Sequence, residues 1–151
     1  MKISSYIFTG PAGTFLFEGA DRSDEVFNHI DLGVINVTRL LRDFPFDESP
    51  IQFPLDAGLK KHIAEKEFDF YEPNERILSK LDTPVLFTLL DGVLHMVDGA
   101  HRTRERIRKG LPWVMGYILD PAVFEYFRVK AWRIESDGSR MAWDPIRLRP
   151  L

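Results

Sequence analysis

The sequence predicts one α/β (α+β) domain over residues 1–151, a mixed sheet with short flanking helices. Three observations predict it. An apolar hairpin runs from Pro84 to Val97 around Asp91-Gly92, apolar residues recur at helical spacing after Leu55, and a strand–helix–strand order follows Val97. The chain has 151 residues with 44% apolar side chains, and its 28% of charged residues are interspersed rather than massed. A chain of that size and pattern buries a core rather than staying disordered.

The N-terminal third carries the weakest signals. Tyr6 to Phe8 and Thr14 to Phe17 read as short strands joined by the turn Gly10-Pro11-Ala12-Gly13. Asp21-Arg22-Ser23-Asp24 suits the start of a short helix through His29, and the β-branched stretch Val34 to Leu41 reads as a strand passing into a helical turn. From Leu55 the period becomes helical, with Leu59, Ile63 and Phe68 behind Asp56 and with Lys60 and Lys61 on the wetter side. A second amphipathic helix follows Pro73 through Ile77, Leu78 and Leu81, stopped by Thr83-Pro84.

Asp91-Gly92 favours a two-residue turn with positive φ, which sets Leu90 against Val93, Leu89 against Leu94, Thr88 against His95 and Phe87 against Met96. One face of that hairpin is then apolar. Ala100 to Lys109 reads as a helix with Ala100, Thr103 and Ile107 inward, closed by Gly110 with Pro112 beyond. Its arginines, Arg104, Arg106 and Arg108 with Lys109, read as a solvated face. Trp113 to Leu119 is an apolar strand, Pro121 to Phe127 a short helix capped by Asp120, and the tail forms a hairpin turned at Asp137-Gly138. The expected core includes Phe87, Leu89, Leu94, Met96, Ile107, Val114 and Ile118.

Composition removes several chemistries. With no cysteine there is no disulfide, thiolate metal site or cysteine nucleophile. No apolar run reaches the roughly 18–20 residues of a membrane span and the N terminus lacks a signal-peptide pattern, so a cytoplasmic protein without membrane contact is expected. Residues 1–98 hold 9 Lys/Arg against 17 Asp/Glu (−8), whereas residues 99–151 hold 11 against 6 (+5). A basic C-terminal half suits a phosphate-bearing ligand, while the acidic half argues against a broad DNA-binding surface. His29, His62, His95 and His101 show no metal-ligand spacing.

The segment Asp98-Gly99-Ala100-His101-Arg102 lies where a strand delivers the chain into a helix. Backbone N–H groups and the positive end of the helix dipole converge there, an arrangement suited to anions. Gly99 lets a ligand approach the backbone, Ala100 adds no bulk, His101 offers a donor, and Arg102 a forked pair of donors. Asp98 could equally cap the helix, and Arg102 could equally pair with a carboxylate.

Over residues 55 to 120 the order of helix, hairpin ending in Val97-Asp98-Gly99, and Gly99-Ala100-His101-Arg102 opening a helix closed at Gly110 resembles the ParB/sulfiredoxin superfamily. The motif-bearing part falls at about residues 51–127. The resemblance implies a compact fold of that type and a Gly-x-x-Arg motif binding nucleotide phosphates through Gly99, Ala100, His101 and Arg102, with ATP, ADP or CTP and Mg²⁺ as ligands.

Sulfiredoxins carry cysteine where Ala100 stands, so their chemistry is excluded here. ParB-type partition proteins continue into a helix-turn-helix domain, for which this sequence shows no pattern, and DNA binding is therefore not expected. The chain is similar also to the ADP-dependent free serine kinase, whose Asp-Gly before the helix matches Asp98-Gly99. That likeness implies a catalytic Asp98 in phosphoryl transfer, with a second carboxylate among Asp43, Asp47, Glu48 and Asp56. The expected function is nucleotide binding, with hydrolysis or phosphoryl transfer as the reaction. The alternative is a non-catalytic plasmid- or phage-type protein that binds a protein or nucleic-acid partner.

Overall fold

The computed structural model describes residues 4–65 and 80–151, and the chain divides into two units. The first joins residues 1–45 to 121–151, and the second is the continuous stretch 46–120. The helix expected after Pro73 and the helical position of Phe68 lie outside the described residues.

In the first unit, β1 (Ser5–Gly10) and β2 (Gly13–Glu18) form the expected hairpin, with Gly10 opposite Gly13 across Pro11-Ala12. Residues 21–29 are not a helix. Val26–His29 is a strand, β3, paired with β4 (Gly33–Asn36) so that Phe27 lies opposite Ile35. The β-forming Val26 and Phe27 gain a partner strand, whereas Asp21 to Asp24 close a single turn, Asp24 N–H donating to Asp21 O at 3.0 Å. The stretch after Val34 does pass into a helix, α1 (Val37–Asp43).

Asn36 marks that change: its Oδ1 accepts the Arg39 N–H at 3.0 Å, while its Nδ2 donates to Gly19 O at 2.8 Å and Asp24 Oδ2 at 2.9 Å. A buried amide with these three partners meets the cost of burial. The chain returns to this unit through the expected short helix, of 3-10 type (Pro121–Phe127), and through β9 (Arg128–Ile134), β10 (Arg140–Asp144) and β11 (Arg149–Pro150). β9 pairs antiparallel with β2, β4 and β10. Phe15, Ile35, Leu40, Phe124, Phe127 and Val129 are buried here.

The second unit opens with β5 (Ile51–Pro54), a strand that sequence patterning did not show, and α2 (Ala57–Glu65), whose first turn is capped by Asp56 Oδ1 accepting the Leu59 N–H at 2.9 Å. The hairpin follows as β6 (Val85–Leu90) and β7 (Val93–Asp98), then α3 (Ala100–Arg108) and β8 (Trp113–Leu119). The sheet order is β5-β8-β6-β7; β6 and β8 run parallel and the other pairs antiparallel, so this sheet is mixed as expected.

Phe87 opposite Met96 and Leu89 opposite Leu94 match the expected register, and Asp91 (φ 51°) and Gly92 (φ 77°) make the expected turn. Leu55, Ile63, Val85, Phe87, Met96 and Val114 form the core, with Phe53, Leu59, Leu94, Ala100 and Ile107 packed against it. Leu89 and Ile118 leave the expected core: they are 48% and 44% exposed. Both are the last residue but one of their strands, β6 and β8, where less of the chain covers them. Gly116 permits tight strand packing, since a Cβ there would meet Val85 O and Phe87 Cε2 at 3.0 Å.

Candidate functional site

β7 ends at Asp98 and α3 begins at Ala100, so the reversal falls on Gly99. Gly99 occupies the N-cap position in the left-handed region (φ 106°, ψ 13°), and no side chain caps the helix. Asp98 is therefore not the cap. The first hydrogen bond of the helix runs from Thr103 N–H to Gly99 O at 2.9 Å, and the buried Thr103 hydroxyl donates to the same oxygen at 2.9 Å. These bonds anchor the first turn and leave its leading edge without a side-chain acceptor.

Glycine is required at position 99 for two reasons. Its φ is one that side-chain-bearing residues rarely adopt, and a Cβ there would lie 2.3 Å from Val85 Cγ1. The space left by the absent side chain is thus filled by the protein's own Val85. The expected benefit, a close ligand approach from that direction, gives way to strand–helix packing.

The structure brings Asp98 and Arg102 together. Arg102 Nη2 donates to Asp98 Oδ2 at 3.2 Å and to Pro84 O at 3.3 Å. Their side chains are only 16% and 14% exposed, so this pair is less screened than a surface ion pair. Arg102 Nε is buried and has no hydrogen-bond partner among the described residues. Ala100 is half-buried against the core, while His101 is exposed one position further along the first turn. The five residues 98–102 therefore form one local group. Arg102 rests folded back on Asp98 rather than pointing outward.

The arginine row beyond them is not a uniform solvated face. Arg106 is buried, donating Nε to Trp113 O at 2.9 Å and Nη1 to Leu81 O at 3.2 Å and Asp82 Oδ1 at 3.0 Å. Its guanidinium lies 4.8 Å from the Trp113 ring centroid. Arg108 Nη1 donates to the buried Glu105 at 2.9 Å. Helical periodicity hid Arg106 because its charge is satisfied by Trp113 O beyond the helix and by Leu81 O and Asp82 from a distant segment, none of which a helical pattern records.

The four carboxylates weighed as a second catalytic group serve elsewhere or stand exposed. Asp56 caps α2, and Asp43 pairs with Arg42 at 2.8 Å in the first unit. Asp47 and Glu48 are exposed. Among the described residues no group of three His, Asp or Glu side chains is placed to hold a metal ion. Asp98 contributes one carboxylate, already engaged by Arg102, and among the described residues no further ligands join it to hold a Mg²⁺ ion. Among the described residues no helix is long and apolar enough to cross a membrane.

Comparison with protein-family models, with curated proteins and with solved structures gives no match, so the family likeness rests on Gly99-Ala100-His101-Arg102 and its hairpin–helix setting.

Proposed function

We propose that the N terminus of α3 binds the phosphate of a nucleotide such as ATP, ADP or CTP. The observation that carries this reading is an uncapped helix start, entered through left-handed Gly99, beside a guanidinium whose buried Nε has no partner among the described residues. An incoming phosphate oxygen would find the helix dipole, first-turn N–H groups and Arg102 on one side. Arg102 would exchange Asp98 and the Pro84 carbonyl for phosphate oxygens, with the released Asp98 at hand for an acceptor hydroxyl. Exposed His101 adds a donor at the rim. Binding rather than turnover is the part this geometry supports best, since the described interactions of Asp98 are with Arg102 and bring no second carboxylate to it.

Calorimetric titration of ATP, ADP, CTP and GTP, with and without Mg²⁺, tests the reading on the wild type and on Arg102→Ala after its fold is checked by circular dichroism. Wild-type binding that weakens about 10- to 100-fold in the variant is expected, the range of a lost charge-assisted hydrogen bond. No binding by the wild type to any of the four overturns it.

A second reading, a surface for a protein partner, is favoured by Ile51, Leu89 and Ile118 of the second unit. All three are more than 40% exposed, and strand pairing puts them on one face of the sheet. If nucleotides fail, partner capture with wild type but not Ile118→Asp is the outcome this reading expects.

A further inference from the structure

The first unit contains a cavity of about 720 Å³ between α1, the loop after β2 and the 3-10 helix. That volume falls within the range of small-molecule sites. Its walls divide by chemistry. Phe44, Val123, Tyr126 and Phe127 supply an apolar side, and Tyr126 is 77% exposed although it is a large aromatic. Arg39, Arg42, Asp21, Asp24 and Asp43 supply its charged lining.

The state of each charge decides what could enter. Arg42 Nε and Nη2 bind the two oxygens of Asp43 at 2.8 and 3.2 Å, which satisfies that carboxylate and holds its carboxyl below the usual range. Arg39 reaches Asp43 only at 3.8 Å, beyond hydrogen-bonding distance, and its guanidinium makes no side-chain hydrogen bond among the described residues. It lies over the Phe127 ring, 5.4 Å from the centroid, a contact that leaves its N–H donors unused. Asp24 is fixed by the Asp21 N–H and by buried Asn36, each at 2.9 Å, while Asp21 is exposed at the rim. With Arg42 and Asp43 paired, the cavity presents one guanidinium and two carboxylates beside an apolar wall.

A purely anionic ligand would meet Asp21 and Asp24, and a purely cationic one would meet Arg39. We infer that this cavity binds a zwitterion with an apolar side chain, an amino acid or a short peptide: its carboxylate on Arg39, its ammonium toward Asp21 and Asp24, its side chain against Tyr126, Val123 and Phe127. The Arg39 fork matches a carboxylate, and an exposed tyrosine supplies contact area at low entropic cost. The inference is independent of the nucleotide reading, which concerns the other unit.

The test uses the full chain and NMR titration with L-phenylalanine and the dipeptide L-phenylalanyl-L-phenylalanine, then the N-acetylated and the C-terminally amidated forms of whichever binds. Saturable shifts at Arg39, Tyr126 and Phe127 are expected for at least one probe, and a preference between the two identifies the source as free amino acid or peptide. Acetylation and amidation should each weaken binding about tenfold or more, as should Arg39→Gln and Tyr126→Ala. Tyr126 is so exposed that its variant should fold normally. Shifts by neither probe, capped forms that bind as tightly as the uncapped probe, or wild-type affinity in both variants would each overturn the assignment.

Discussion

Gly99 was legible as a special position because a glycine between a strand and a helix signals a reversal, yet the reason for it is tertiary. Val85 occupies the place of its side chain, 2.3 Å from an ideal Cβ. Gly99→Ala should therefore destabilise the chain by roughly 2–4 kcal/mol, combining left-handed strain with overpacking. Urea unfolding checks this, and a loss under 0.5 kcal/mol would mean that the turn relaxes freely. Arg106 gives the opposite lesson, since nothing in its helix marks it as buried. Arg106→Leu leaves Trp113 O and Leu81 O without their donor, so a cost of about 1–3 kcal/mol for each carbonyl that water does not reach is expected in the same experiment. A surface arginine would cost almost nothing.

The β6–β7 hairpin was readable to the individual residue pair because Asp91-Gly92 dictates both turn type and register, and alternation fixes the face. Residues 21–29 depart from the expected helix because Ser and Asp signals for a helix start serve equally well in an isolated turn. What settled the matter was Val26 and Phe27 finding β4. The Asp137-Gly138 turn of the tail was also legible, and its chemistry predicts a pH effect. Hydrogen bonds from the Ser139 hydroxyl and N–H hold the Asp137 carboxyl below its ordinary range. A depressed folded value means that the carboxylate's contribution is fully present above the unfolded pKa, about 4, and is lost as pH falls through the folded value. The stability difference between wild type and Asp137→Ala should thus be constant near neutrality and vanish in acid. Unfolding curves from pH 7 to pH 2 measure it, and a difference that grows on acidification would reverse the assignment.

Charge shows how far linear order can mislead about the molecule as a whole. The two sequence halves carry −8 and +5, but 10 Lys/Arg and 10 Asp/Glu fall in the first unit, and 10 and 13 in the second. The asymmetry disappears because residues 121–151 return to the N-terminal strands, where β9 pairs with both β2 and β4. Neither unit carries the net positive charge of the C-terminal half of the sequence, so a phosphate site would draw on the local group at 98–102 rather than on a basic half. Removing residues 121–151 should strip β2 and β4 of this shared partner. Hydrogen exchange of the shortened chain should then show lost protection from Phe15 to Glu18 and from Val34 to Ile35. Retained protection there would mean that the N-terminal hairpins stand without β9.

The mixed α+β class, the turn at Asp91-Gly92, the helix opening at Ala100 and the proximity of Asp98 to Arg102 follow from local pattern, because each depends on residues within about ten positions of one another. The partners of β9, the edge position of β5, the burial of Arg106 and the cavity beside Arg39 come from segments far apart in the chain. Arg39 and Phe127 are 88 positions apart, yet they meet in the lining of that cavity. Local periodicity carries no record of such encounters, since the free energy that selects them belongs to packing and to polar groups satisfied across the fold.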